Sequence, residues 1–224
     1  MDRNLTPAEM AEFIDHTLLK ETATEADIKV LCEEAVEFGF KTVCIRPQHV
    51  AFAKSVLSGQ NPKVITVVGF PSGEASAREK VLETEAAVRD GAEEIDMVLS
   101  KSLLKKKDYQ GVLEDIQGVV KAAGQKKVKV ILETCDLTED EKITSVSLAK
   151  AAGAAFVKTS TGYGAGGATE QDIRLMRRIG GEDIGVKASG GIRNLENATT
   201  MLVAGANRLG CSASIQIINE LISR

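Results

Sequence analysis

The chain has 224 residues, 43% hydrophobic and 27% charged, which is the profile of a globular protein and excludes a disordered or fibrous one. Lys+Arg 28 against Asp+Glu 32 leaves a net charge of −4, and Trp is absent, so neither the basic footprint nor the stacking surface of a nucleic-acid binder is present. No apolar run approaches the roughly 20 residues of a membrane span, the opening MDRNLTPAEM has no apolar leader core, and Cys32, Cys44, Cys135 and Cys211 form no CxxC pair, so a reduced cytoplasmic enzyme with no nucleic-acid or membrane partner is expected.

In chain order, residues 6–14 (TPAEMAEFI) read as a short helix with Pro in its first turn. Eight short, largely apolar segments follow: FIDHTLL (13–19), KTVCIR (41–46), VITVVGF (64–70), EIDMVL (94–99), VKVILET (128–134), FVKTS (156–160), GVKAS (185–189) and NRLGCS (207–212). Such segments suit strands buried on both faces, as in a parallel sheet. Helical stretches separate them, with Thr24 and Thr138 as N-caps ahead of acidic first turns. Gly39, Gly91, Gly153 and Gly205 stand where a helix ends and the next strand begins, the position of a C-cap with positive φ. Strict alternation implies right-handed parallel crossovers. Eight units over 224 residues, 28 per unit, favour a closed (β/α)8 TIM barrel formed as one domain over 1–224, with the short N-terminal helix covering its bottom.

Ionisable groups recur at the ends of these strands: Asp15, Arg46, Asp96, Glu133, Lys158 and Lys187, with Cys44 on the second. The C-terminal ends of barrel strands are where catalytic groups sit. Singly, such residues read as solvated or capping side chains. Together they read as chemistry. Lys158 (FVKTS) and Lys187 (GVKAS) hold equivalent places on consecutive strands, which lie about 4.8 Å apart. An ordinary lysine has pKa about 10.4, and bringing one to about 7 means disfavouring its cation by roughly 4–5 kcal/mol. Burial and a neighbouring like charge supply that order. A neutral amine so made attacks a carbonyl to give a Schiff base, with Asp96 and Asp15 placed to move protons. Metal ligation has no such pattern: His16 and His49 lack ligand spacing and read as structural.

SGGIR (189–193) and GCSAS (210–214) follow the seventh and eighth strands, the usual phosphate site of a barrel. Gly190, Gly191, Gly210 and Ser212 are its candidate contacts. Gly162, Gly164 and Gly167 match the dinucleotide pattern GxGxxG, with Glu182 or Asp183 at the distance of a ribose-binding acid. That fingerprint belongs to the first βα turn of a domain, whereas this one lies in the sixth unit. A flexible loop closing over substrate, with Gly162 near its phosphate, is the preferred reading. Cys44 is a further candidate pocket thiol, open to trapping by aldehydes if exposed and a small buried filler otherwise.

The segments IDHTLL (14–19), TVCIRP (42–47), VVGFPSG (67–73), EIDMV (94–98), KVILET (129–134), FVKTSTG (156–162), VKASGGIR (186–193) and RLGCSAS (208–214) resemble, in family order and over nearly the whole chain, the 2-deoxyribose-5-phosphate aldolases. The resemblance implies a metal-free, cofactor-free class I aldolase that interconverts 2-deoxy-D-ribose 5-phosphate with D-glyceraldehyde 3-phosphate and acetaldehyde in deoxynucleoside breakdown. By it, Lys158 is the Schiff-base lysine, Lys187 the second lysine and Asp96 the acid/base residue working through water. Asp15 and Thr17 lie near the substrate hydroxyls, and Gly190, Gly191, Gly210 and Ser212 cradle the phosphate. A homodimer or higher homo-oligomer is implied as well. Three departures stand out: Ala213 follows Ser212 where some members have paired serines, Tyr163 replaces a lysine after STG, and the chain closes on NELISR without a terminal tyrosine. Enamine protonation is therefore expected to rely on Asp96 and water. Other Schiff-base sugar-phosphate aldolases or transaldolases, and a non-catalytic sugar-phosphate-binding barrel, are the alternatives.

Overall fold

Local signals of helix start and strand burial alternate along the chain, and they resolve into eight strands and ten helices in the computed structural model, which describes residues 5–223. In order these are α1 (Pro7–Ala11), β1 (Ile14–Leu18), α2 (Glu25–Glu37), β2 (Thr42–Ile45), α3 (Val50–Val56), β3 (Lys63–Val68), α4 (Ala77–Arg89) and β4 (Glu94–Val98). Then come α5 (Lys101–Lys105), α6 (Tyr109–Ala123), β5 (Lys127–Ile131), α7 (Glu139–Ala151), β6 (Phe156–Lys158), α8 (Glu170–Gly180), β7 (Gly185–Ser189), α9 (Leu195–Ala204), β8 (Arg208–Cys211) and α10 (Ser214–Ile222). The strands pair in parallel in sequence order and β8 returns to β1, so the sheet is a closed (β/α)8 barrel. Residues 1–4, on which the expectation of no leader partly rests, and Arg224 at the terminus lie outside the described residues.

The helix signals hold in detail. Thr24 and Thr138 cap α2 and α7, and an acid three residues on reaches back to each cap's own N–H, which satisfies two otherwise orphaned donors per helix. Ser76 does the same for α4. The four interunit glycines all have positive φ, from 68° at Gly39 to 116° at Gly205, a region an L side chain enters at a cost of about 1–2 kcal/mol. At the N-terminal rim, α1 buries Met10 and Ala11 in the core, and Ala11 O accepts from Lys41 N at 3.2 Å; the helix is present as expected but ends at Ala11, and Ile14 already belongs to β1.

Between barrel and helices lies the main apolar core, which includes Ile28, Leu31, Val43, Ile95, Val112, Ile116, Val130, Val146, Ile173 and Ile217. His16 points into this layer, joining Ser214 of α10 (3.0 Å) and Glu34 of α2 (2.8 Å), a structural role as expected. Inside the barrel the chemistry changes. A small apolar cluster of Leu19, Cys44, Ile65 and Val67 fills one side, and charged side chains fill the other.

Candidate active site

Side chains alternate across a strand, so residues two apart face the same way. Glu94 and Asp96 of β4 accordingly share one face, and the buried Asp15, Lys129, Lys158, Lys187 and Arg208 of five other strands meet them inside the barrel. Asp96 is the hub. Its Oδ1 accepts from Lys129 Nζ at 2.8 Å, and its Oδ2 accepts from both Lys158 Nζ at 2.9 Å and Lys187 Nζ at 2.8 Å. Lys187 also lies 2.5 Å from Asp15 Oδ2. Asp15 Oδ1 takes a hydrogen bond from Thr42 Oγ1 at 2.7 Å and from Arg208 at 2.6 Å, and Arg208 reaches Glu94 at 3.4 Å. Glu94 closes the circuit on Lys129 at 2.5 Å.

Four cations thus face three carboxylates in a medium where an unpaired charge is expensive. Burial pushes the Asp96 carboxyl up, but Lys129, Lys158 and Lys187 together overcome it and hold it well below the usual carboxylate range. Burial likewise opposes ionisation of Asp15, and Lys187, Arg208 and Lys129 reverse that, leaving it below the usual range too. Lys187, though burial disfavours its charge, is raised above the ordinary lysine value by Asp15 and Asp96. Asp15, Asp96 and Lys187 are therefore ionised in the resting site at neutral pH. Among the described residues each of Lys129, Lys187 and Arg208 contacts two carboxylates, whereas Lys158 contacts Asp96 alone, through an oxygen it shares with Lys187.

Above this network opens a cavity of about 390 Å³ at the C-terminal ends of the strands. Lys158 lines it, and around its mouth stand Gly162 after β6, Gly190 and Gly191 after β7, Gly210 and Ser212 at the end of β8, and Thr17 of β1. Gly190 and Gly191 both have positive φ, 84° and 78°, which turns the chain tightly after β7. A Cβ on Gly167 would stand 2.3 Å from Gly190 O, so the β6–α8 and β7–α9 loops touch backbone to backbone. Ser214 turns its hydroxyl inward to Cys211 O and His16, which leaves Ser212 to face the cavity. Lys20 and Arg193 line the same cavity and add positive charge to it.

Burial bears on two sequence expectations. Asp15, expected near the substrate hydroxyls, is fully buried, is not among the residues lining the cavity, and pairs its oxygens with Lys187, Arg208 and Thr42, so it holds Lys187 in place. Of the two readings of Cys44, pocket thiol or small buried filler, the structure supports the filler: Cys44 is fully buried in the apolar cluster, and burial pushes its thiol up. Neither acid of the dinucleotide alternative lines the cavity: Glu182 and Asp183 are both exposed, and Asp183 is paired with Lys150 at 2.7 Å.

Lys129, Glu94 and Arg208 were not singled out in the sequence. The signal existed in the alternation of EIDMV and KVKVI, where charges two apart occupy one face of strands otherwise apolar. Tyr163 is another. It reaches across the barrel mouth, its Oη donates to Leu19 O at 2.7 Å, and its ring packs edge-on against Phe70 at 5.3 Å. Arg46 lies over both rings and donates to the same Leu19 O at 2.6 Å. Glu133, with the left-handed φ of 56°, accepts from Thr161 N and Thr161 Oγ1 and pins the loop that carries Tyr163.

The model of the DeoC/LacD family aldolases matches residues 10–214. The chain belongs to the DeoC/LacD aldolase family. This aldolase is 54% identical over 214 residues to a deoxyribose-phosphate aldolase of Caldanaerobacter subterraneus, covering 94% of this chain and 93% of that one. It is 52% identical to the deoxyribose-phosphate aldolase of Thermococcus kodakarensis over 94% and 96% of the two chains. Among solved structures, the tetrameric deoxyribose phosphate aldolase from Aeropyrum pernix superposes with a TM-score of 0.92 at 32% identity, over 97% of this aldolase and 93% of that chain. Both the family and the barrel expected from the sequence are thus borne out. Among the described residues no group of three or more His, Cys, Asp and Glu is placed to hold a metal ion, and no helix is long and apolar enough to cross a membrane.

Proposed function

We propose that this aldolase reversibly cleaves 2-deoxy-D-ribose 5-phosphate to D-glyceraldehyde 3-phosphate and acetaldehyde through a Schiff base on Lys158, without metal or other cofactor. The observation that carries the assignment is the unequal pairing of the buried cations: Lys158 has the weakest counter-charge and is the one whose side chain lines the cavity. Lys187, held as a cation beside it and sharing the same Asp96 oxygen, is the group that disfavours a second positive charge there.

The neutral Lys158 amine adds to the C1 aldehyde of the open sugar, and the carbinolamine loses water to give an iminium. That cation draws electrons as the C2–C3 bond breaks. The C3 hydroxyl passes its proton through water to Asp96, glyceraldehyde 3-phosphate leaves, and C2 remains as an enamine. Asp96 and water return the proton to C2, and hydrolysis frees acetaldehyde and the amine. Thr17, which lines the cavity, is assigned to the substrate hydroxyls on the family resemblance. Backbone N–H groups at Gly190, Gly191 and Gly210, with Ser212 and Gly162, take the phosphate beside the N-terminus of α10, with Lys20 and Arg193 as nearby positive charge.

With these substrates the enzyme would serve deoxynucleoside breakdown, and a cytoplasmic setting is the reading that four free cysteines support. The whole chain 1–224 acts as one catalytic domain, and the tetrameric relative supports a homo-oligomer. Borohydride reduction in the presence of acetaldehyde tests the assignment. A peptide adduct is expected at Lys158, activity is expected to fall by at least 10³-fold in Lys158→Ala, the scale of losing a covalent route, and EDTA is expected to leave the rate unchanged. An adduct elsewhere, or an active Lys158→Ala, rejects the mechanism.

A further inference from the structure

Beneath the residues that the reaction uses lies a second tier of charge. Glu94 precedes Asp96 by two residues on β4, about 6.6 Å along the strand. It is buried, 2.5 Å from Lys129 Nζ and 3.4 Å from Arg208, and has no contact with the cavity above. Those two cations are the ones that hold the upper carboxylates: Lys129 binds Asp96 Oδ1 at 2.8 Å and Arg208 binds Asp15 Oδ1 at 2.6 Å. Both of these cations lie over the Phe156 ring, and Glu94 itself lines a basal cavity together with Lys41, Lys63 and Lys127. Lys41 is itself paired with Glu12 at 2.8 Å.

Glu94 therefore competes with Asp96 for Lys129 and with Asp15 for Arg208. We infer that Glu94 is a positioning residue whose negative charge, acting through Lys129 and Arg208, sets the pH at which Lys158 becomes nucleophilic. This rests on the reading of Lys158 as the Schiff-base lysine. Without Glu94 the interior holds two carboxylates against four cations, and Lys129 turns wholly to Asp96, drawing that carboxylate away from Lys158. Both effects expel the Lys158 proton, so they act with one sign. Loss of Arg208 acts with the other.

The test is the pH dependence of kcat/KM and of borohydride trapping with acetaldehyde. In Glu94→Gln, which keeps the side chain's shape, the acid limb is expected to move about one unit toward lower pH, the order given by one charge removed at roughly 8–10 Å in an effective dielectric of about 20. Arg208→Gln moves the limb toward higher pH, and the double variant, whose charge balance is that of the wild type, returns it to within about 0.3 unit. A purely structural role for Glu94 lowers the yield or the rate and leaves the limb in place, and that result overturns the inference. Should Glu94→Gln fail to fold, Arg208→Gln decides: a limb unmoved or shifted to acid overturns it, and an alkaline shift supports it. An absent adduct at Lys158 in the wild type sinks the mechanism itself, whereas an adduct there with an immovable limb sinks this inference alone.

Discussion

Gly210 has almost no room for a side chain. A Cβ there would lie 2.9 Å from Lys187 Cε and 3.1 Å from Ser189 Cβ, so Gly210→Ala pushes on the lysine that fixes the charge of the site. The expected result is a fall in kcat of about 10²-fold from an ångström-scale displacement, with the fold retained by circular dichroism; wild-type kcat would show that Lys187 is not required in its place. Gly162 is the contrast. Its Cβ would meet nothing within 4 Å, but its φ is 85°, so Gly162→Ala is expected to cost about 1–2 kcal/mol in stability, measured by urea unfolding, without blocking the cavity. The cysteines separate by burial in the same way. Cys135 is exposed and Cys32, Cys44 and Cys211 are buried, so iodoacetamide is expected to modify Cys135 first, and Cys44→Ala to leave the rate of inactivation by excess acetaldehyde unchanged. Rapid labelling of Cys44 in the folded protein contradicts that. At this scale the sequence showed Lys158, Lys187 and Asp96, because their strands are short and otherwise apolar. It did not show that Asp15 and Cys44 are fully buried, since depth inside a barrel depends on the stagger of neighbouring strands.

The loop between β6 and α8 is the element that varies the site. From β6 it carries Tyr163 across the mouth to Leu19 after β1 and Phe70 after β3, so three loops distant in sequence are clasped by one side chain. Tyr163→Ala is expected to raise KM several-fold with a smaller effect on kcat, because it opens the mouth and leaves Lys158 and Asp96 untouched. Tyr163→Phe, losing one hydrogen bond and keeping the ring packing, is expected to cost at most about 1 kcal/mol, or five-fold. Equal losses of kcat and kcat/KM in Tyr163→Ala would instead place the ring against the reacting atoms. The strands and caps around this loop were legible: the eight apolar segments contain β1 and β2 and all of β4, β6, β7 and β8, and Thr24 and Thr138 make the caps expected of them. The loop was legible only as glycine-rich. Its conformation comes from Glu133 and from Gly190 O, partners that no local pattern announces.

For the whole molecule the buried charges set the pH range of stability. Asp15 and Asp96 have lowered values in the folded state, so their stabilisation is complete above the unfolded carboxylate value near 4 and is lost as pH falls toward the folded values. His16, lowered chiefly by burial although Glu34 opposes this, makes a similar loss begin already below about 6.5. Lys187 is raised, so its contribution is present below about 10.4 and disappears as pH climbs beyond that toward the folded value. The melting temperature is therefore expected to be flat between about pH 7 and 10, to decline gently below 6.5, and to drop steeply below 4; a maximum at pH 4–5 is incompatible with these signs. By itself the sequence determined the eight strand–helix units, their order, and which residues of each strand share a face, because those features are written in spacings of two and of three to four residues. Tertiary structure alone decided which inward charges meet: that Lys129, Glu94 and Arg208 complete the circuit around Asp96, that Asp15 serves Lys187, and that Tyr163 spans the mouth. Closure of the barrel sets the relative height of residues from strands up to 193 positions apart, and the energy of a buried charge depends on that height far more than on its neighbours in the chain.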